Sequence, residues 1–448
     1  MKKIYFIITL CAMLVLASSC DKFLDLQPQQ GLDETETLNT DAKVKTVLVG
    51  AYAMLRSSAI YGGCILRNSE LSGADGEISW QGTYNGPREI YNHQIQTASG
   101  DITDQWLNSY DCINICNNVL SVLDTVIEKD RDRVKGEALF LRSLMYFDLV
   151  RFYAKAYVPG TTNSQFGVPL KLIPTNPTTI ANSIGRNTVE EVYTRVIADL
   201  EIAALILPVE NGYYANSVAA NALLARVYLQ KGDYAKARDA ANKVIVSDDY
   251  SLTGTYAAAF NNEEYSSEDI FATKFIAADG INQMTEFWST TKYGGRDGDI
   301  EIMDKHLNLY EADDQRLSLF WEGNDAIRSG KWNTQYGLVN LFRLAEMYLV
   351  RAECNQRLGT SVGATPVDDY NMTHERAGLT PKTAVTLEDI LLERRLELAH
   401  EGFKLHDMKR LKLSVGSLPY NDPKLVYPIP AREISANPAI ADQQNEGY

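Results

Sequence analysis

SVAANALLARVYLQKGDYAKARDAANKVIV, residues Ser217–Val246, reads as two helices joined by a tight turn. Ser217 precedes a first helix over Ala219–Gln230. Lys231-Gly232-Asp233 makes the turn, and Tyr234–Val246 forms the second helix. Alanines at 220, 222, 225, 235, 237 and 241 remove side-chain bulk from the facing surfaces, so the two helices approach closely.

The Ala-rich first helix, the Gly-Asp-Tyr turn and the Ala-x-x-x-Ala second helix resemble a tetratricopeptide unit. A related pattern recurs at Leu338–Leu358, and a further helix is expected from about Leu387 to His400. Towards the N-terminus, helical spacing of apolar residues predicts helices over Ala42–Arg56, Thr103–Val126, Arg131–Tyr153 and Thr188–Leu207. The last opens with Thr188 and Glu191 spaced as a capping box. Such units cannot bury their apolar faces alone and stack against neighbours. Two regions break the pattern. Ile60–Gly100 is rich in Gly, Asn and aromatic residues, and Tyr250–Asn333 mixes short apolar runs such as Ile270–Ile276 with polar loops. Loops this long inside a compact chain are typically functional or disordered, and their aromatic content argues against disorder.

Lys2 and Lys3, an apolar run from Ile4 to Leu16, and the small residues Ala17, Ser18 and Ser19 describe a secretory signal too short to span a bilayer. Leu16-Ala17-Ser18-Ser19-Cys20 resembles a bacterial lipobox, which places the lipid on Cys20. Two or three acyl chains then hold the protein to the membrane. Asp21–Thr37 reads as a tether. Removing residues 1–19 takes two lysines and no acid, moving the formal net charge from −15 to −17. So anionic a chain suits neither a phosphate backbone nor an anionic lipid surface, which argues against nucleic-acid binding. Beyond Cys11 and Cys20, only Cys64, Cys112, Cys116 and Cys354 remain. They read as buried small residues rather than a disulfide framework or a metal site.

Catalytic signatures are broken or missing. His400-Glu401 suggests a zincin helix, but the next histidine is His406, about 240° around a helix rather than one turn on. Both read as structural. The acid pairs Asp248-Asp249, Glu263-Glu264, Asp313-Asp314 and Asp368-Asp369 read as solvated loop charges. Asp297-Gly298-Asp299 with Glu301 is a weak calcium candidate that lacks established loop spacing. Binding chemistry is better represented. Tyrosines number 25, roughly twice what an average chain carries by composition. Trp80, Tyr84, Arg88 and Tyr91 fall in the first irregular region, and Trp288, Tyr293 and Arg296 in the second. Rings beside Asn, Gln and Arg suit a sugar, whose CH face stacks while amides and guanidinium bond its hydroxyls. The same rings would also serve to pin the loops to the helices.

Longer segments carry a family resemblance. Lys135–Ser143 (KGEALFLRS) with Tyr146–Val150 (YFDLV), and Asn340–Glu353 (NLFRLAEMYLVRAE), look like signature helices of the SusD/RagB family. Glu375–Leu379, Glu393–Ala399 running into Glu401-Gly402-Phe403, Asp407-Met408-Lys409-Arg410, and Tyr427-Pro428-Ile429-Pro430 with Asn437-Pro438 follow in the family's order. Cys20–Asp25 resembles its lipoprotein N-terminus. The resemblance implies an all-α dominated fold, with four tetratricopeptide-like hairpins as scaffold, a loop-rich subdomain and minor short strands. It implies a non-catalytic outer-membrane lipoprotein without a cofactor, facing the cell exterior. Such a protein captures oligosaccharide, or in RagB-like members peptide, and passes it to a SusC-like TonB-dependent transporter. Asp21 would signal inner-membrane retention under the enteric sorting rule, a departure from that address. A periplasmic helical-repeat scaffold that binds only protein is the alternative of another class. The expected map is a signal peptide at 1–19, a lipidated tether at 20–37 and a helical-repeat region at 38–249 interrupted by the insertion 60–100. A loop-rich ligand-binding subdomain at 250–335 and a C-terminal helical-repeat region at 336–448 complete it.

Overall fold

The Ser217–Val246 hairpin forms in the computed structural model, which describes residues 38–175 and 183–448. Cys20 and the tether lie outside the described residues. The chain order is α1 (Asp41–Met54), α2 (Cys64–Ser72), β1 (Ile78–Trp80), α3 (Asn85–Tyr91), α4 (Gly100–Ser121), α5 (Glu128–Tyr153), α6 (Val189–Ile206), α7 (Ser217–Lys231) and α8 (Tyr234–Ile245). It continues through β2 (Asp269–Phe275), α9 (Gln283–Trp288), β3 (Ile300–Ile302), α10 (Asp304–Leu307), β4 (Phe320–Gly323), β5 (Ala326–Ser329) and β6 (Gly337–Arg343). The last elements are α11 (Leu344–Leu358), α12 (Pro366–Arg376), α13 (Leu387–Glu397), α14 (Lys404–Arg410) and α15 (Ala431–Ala436).

Local chemistry explains the hairpin's ends. Asn216 caps α7 by accepting a hydrogen bond from Ala219 N at 2.7 Å. Gly232 takes the left-handed conformation at φ +77°, which a side chain resists. Asp233 then caps α8 through Lys236 N at 3.2 Å. Ala219, Ala220, Ala222, Ala225, Ala237 and Ala241 are fully buried. The Thr188 capping box closes in both directions, with Glu191 N donating to Thr188 Oγ1 at 3.2 Å and Thr188 N to Glu191 Oε2 at 2.7 Å.

Eight helices stack in series: α1 on α4, α4 on α5, α5 on α6, α6 on α7, α7 on α8, α8 on α11, and α11 on α12. They make four helical pairs, the helix-dominated architecture expected. Gly136–Tyr153 of α5 is buried without interruption, so its charges are paired internally. Arg142 donates to Asp199 at 2.9 Å and to Asn117 at 2.8 Å. Between α7 and α11, Arg226 forks onto Glu346 at 2.9 and 2.6 Å. The four cysteines are free and buried.

Three expectations need correction. The Leu338–Leu358 pattern is not one helix: Gly337–Arg343 is a strand paired antiparallel with β2, and the helix starts at Leu344. Val339 and Leu341 alternate inward against half-buried Leu338 and Asn340, the period of a strand. The irregular Ile60–Gly100 region contains α2, every residue of which is buried. Two of the acids assigned to solvated loops are interior: Asp314 pairs with Arg316 at 2.8 Å and Asp369 with Arg351 at 2.6 Å.

Candidate functional site

The two irregular regions meet in a sheet. β1 pairs antiparallel with β3, Trp80 opposite Ile300, and Gln81 N continues the ladder to Asp299 O at 2.7 Å. Residues about 220 positions apart are thereby fixed side by side. The β4–β5 hairpin packs on β3, with Arg328 Nη1 donating to Ile300 O at 2.8 Å. Its tip, Asn324-Asp325, has φ of 51° and 56°, a type I′ turn. Asn324 Nδ2 donates to Asp297 O at 2.9 Å, joining the tip to the loop that carries Tyr293 and Arg296.

Arg296 holds Tyr84. Its guanidinium carbon lies 4.3 Å from the centroid of the Tyr84 ring. One nitrogen reaches Thr83 Oγ1 at 3.4 Å, and Nε is 3.8 Å from Asp299 Oδ2. Burial raises the carboxyls of Asp299 and of neighbouring Glu286. Phe287 on α9 is the wedge beneath: Tyr84 stands edge-on to it at 5.5 Å and Trp80 at 5.6 Å. Tyr84 is 49% exposed. Arg88 holds the bend between them by donating to Gly82 O at 2.8 Å. Three residues before Arg296, Tyr293 meets the edge of Trp321 at 5.0 Å, and Lys292 Nζ lies over both rings at 4.8 and 5.1 Å. Tyr293 and Trp321 are half-buried. Gly323 leaves room for the ring, since a Cβ there would fall 2.3 Å from Trp321 and make it shift.

The structure therefore brings Trp80, Tyr84, Arg88, Tyr293 and Arg296 to one sheet junction. It does not bring Trp288 there. That side chain has no exposed surface and packs on His400 at 4.7 Å, so no ligand reaches its face. Trp80 is nearly buried too and supports the site from beneath, while Tyr91 is half-buried against the core. Sequence reasoning missed Phe287, Lys292 and Trp321. A signal for Trp321 existed in Phe320–Arg328, a short alternating stretch split by Asn324-Asp325. His400 and His406 are both buried, as a structural role requires. The calcium candidate does not assemble: among the described residues no group of three His, Cys, Asp or Glu side chains is placed to hold a metal. Asp299 turns to Arg296 instead. An apolar cavity of about 280 Å³, lined by Ala74, Leu391, Leu398, Phe403, Met408 and Leu411, shares no residue with the aromatic cluster.

Residues 22–229 match a family model described as SusD-like, starch-binding associating with outer membrane, and residues 316–417 match the SusD family model. The chain belongs to the SusD/RagB family. SusD-like protein P25 of Formosa agariphila is 24% identical over the full length of both chains. A solved SusD superfamily protein of Bacteroides thetaiotaomicron superposes with a TM-score of 0.81 at 26% identity, covering 91% of this chain and 99% of that one. A SusD-like carbohydrate binding protein of Bacteroides vulgatus shares the fold at a TM-score of 0.77 and 23% identity, covering 91% and 98%. As a SusD/RagB member, the chain is placed among carbohydrate-binding proteins associated with the outer membrane. No helix among the described residues is long and apolar enough to cross a membrane.

Proposed function

We propose that this SusD/RagB protein is a non-catalytic, cell-surface lipoprotein that captures oligosaccharide with Tyr84, Tyr293 and Trp321. It is anchored through Cys20 and hands its ligand to a SusC-like TonB-dependent transporter for import. The observation that carries the reading is the pair of accessible aromatic groups at the junction of the two irregular regions, Tyr84 under Arg296 and Tyr293 with Trp321 under Lys292. A ring covering about 100 Å² of sugar at ~25 cal/mol/Å² contributes roughly 2–3 kcal/mol before ordering costs. Three rings then support weak to moderate binding, suited to a ligand that must be passed on. Arg88, Gln81 and Thr83 supply donors beside the rings, and Gln81 and Thr83 are exposed.

Calorimetry against panels of neutral, uronate and sulfated oligosaccharides tests the capture step. Binding to at least one class is expected, weakened about 10-fold or more by Tyr84→Ala or Trp321→Ala. Silence across all the glycans, with the fold intact, would sink the reading, and binding confined to a peptide panel would replace it with peptide capture. Co-purification of a TonB-dependent transporter from detergent-extracted native membranes tests the partner.

A further inference from the structure

The tyrosine excess of the chain is only partly used by the aromatic site. Tyr213, in the loop between α6 and α7, is 57% exposed, yet its ring is fixed in place. The turn that carries it closes with Tyr214 N donating to Asn211 O at 3.1 Å, and Asn211 is bound to Glu137 of α5 at 3.1 Å. The Tyr213 hydroxyl donates to Glu264 Oε2 at 2.7 Å. Its ring meets that of Tyr265 at 5.4 Å between centroids, the planes inclined by 54°. Tyr265 is locked in turn by both backbone groups of Ala272 in β2. Its hydroxyl donates to the carbonyl at 2.8 Å and accepts from the N–H at 2.9 Å. Segments far apart in the chain thus hold one uncovered ring, which removes the ordering cost a free surface side chain incurs on binding.

Lys274 of β2 completes the cluster through its ion pair with Glu264, and the two side chains are 36% and 63% exposed. An ammonium has three donors and a carboxylate about four acceptor sites. Glu264 uses one oxygen for Tyr213 and the other for Lys274. Spare donors and acceptors therefore stand beside an open aromatic face. The charge is closed: the bond to Glu264 holds Lys274 above its ordinary value, and exposed Glu263 adds a further negative charge nearby.

We propose that Tyr213, Tyr265, Glu264 and Lys274 form a second carbohydrate-binding platform, which takes a neutral sugar residue. The CH face of the sugar stacks on Tyr213, and its hydroxyls exchange hydrogen bonds with Lys274 and Glu264. Charge decides for a neutral sugar, since a uronate or sulfate would meet an answered ammonium and two carboxylates. A sugar also leaves the Glu264–Lys274 pair wet, whereas a protein partner covering the ring would have to desolvate it. The platform shares no residue with the groups around Tyr84, Tyr293 and Trp321. Its ligand class rests on the glycan reading; its place in the fold does not.

Native gels cast with amylopectin, arabinoxylan, galactomannan, galactan or laminarin test it on the mature protein. At least one gel should retard the wild type, and Tyr213→Ala should weaken that retention about 10-fold. The Tyr84→Ala/Trp321→Ala double variant should keep a reduced retardation that Tyr213→Ala then removes. Tm should not change with Tyr213→Ala, because the ring is largely exposed. Tyr213→Phe, which keeps the ring and loses the bond to Glu264, should retain most of the retardation. Retardation that Tyr213→Ala leaves unchanged, or that the double variant already abolishes, would overturn the platform and leave first-site capture standing. Silence in all five gels overturns the platform whatever calorimetry shows for the first site. Loss of transporter co-purification in Tyr213→Ala with unchanged gels would make this surface a protein interface instead.

Discussion

Two tryptophans from the same irregular region, Trp288 ending α9 and Trp321 in β4, have opposite fates. Trp288 is sealed against His400, whereas Trp321 folds over Gly323 and keeps part of its face in solvent. Their alanine variants should separate cleanly. Trp288→Ala should cost about 3–5 kcal/mol in chemical denaturation, as large-to-small core changes do, with little change in glycan affinity per folded molecule. Trp321→Ala should do the reverse, leaving the denaturation midpoint nearly unmoved. Asp407 offers a second test at this scale. Burial pushes its carboxyl up, but Arg394 and Arg410 outweigh it and leave it at about 2. Its unfolded value is about 3.9. A depressed folded value means the unfolded chain binds the proton first. The contribution of Asp407 is therefore complete above about pH 4 and is lost as pH falls through 2. Urea unfolding between pH 5 and pH 2 should show this loss, and Asp407→Asn should flatten it.

Among the elements, the α7–α8 hairpin is the most local in its causes. Asn216, Gly232 and Asp233 act through groups two or three residues away, and the alanine faces set how close the helices come. Gly232→Ala puts a Cβ 2.4 Å from Pro159 on a backbone already at φ +77°. A loss of at least about 1 kcal/mol is expected in thermal or urea unfolding. The link from α7 to α11 is of another kind. Arg226→Met leaves Glu346 in the interior with only Arg394 at 3.6 Å, and breaking a buried pair this way costs about 3 kcal/mol. Glu346→Gln in the same background should recover part of that loss, since it removes the under-compensated charge. The β6–α11 junction shows the limit of periodicity. Asn340–Leu349 is apolar enough to read as helix, yet pairing with β2 claims its first residues.

At the scale of the whole molecule, helices and loops share one core. The main apolar cluster runs from Leu38 to Ile440 and includes Trp80, Phe287 and Trp288 from the irregular regions. Arg343 ends β6 and joins Glu268, Glu397 and Glu401, tying the loop-rich region to the C-terminal helices. Deleting residues 250–335 should therefore leave no cooperatively folded helical scaffold, checked by loss of a thermal transition in circular dichroism. A truncated chain that melts sharply would show that the repeats stand alone.

What the amino-acid order determined by itself is the helical architecture: the hairpin at Ser217–Val246, the Thr188 cap, the buried cysteines and the family's signature stretches. Those signals act over three or four residues, the range of a hydrogen bond or one helical turn. What only the tertiary structure decided is which aromatic residues face a ligand. The Tyr84–Arg296 contact spans two distant segments, and it exists because β1 meets β3 and Phe287 wedges beneath. The burial of Trp288 and the accessibility of Trp321 likewise depend on neighbours far along the chain, and no spacing within either short element encodes them.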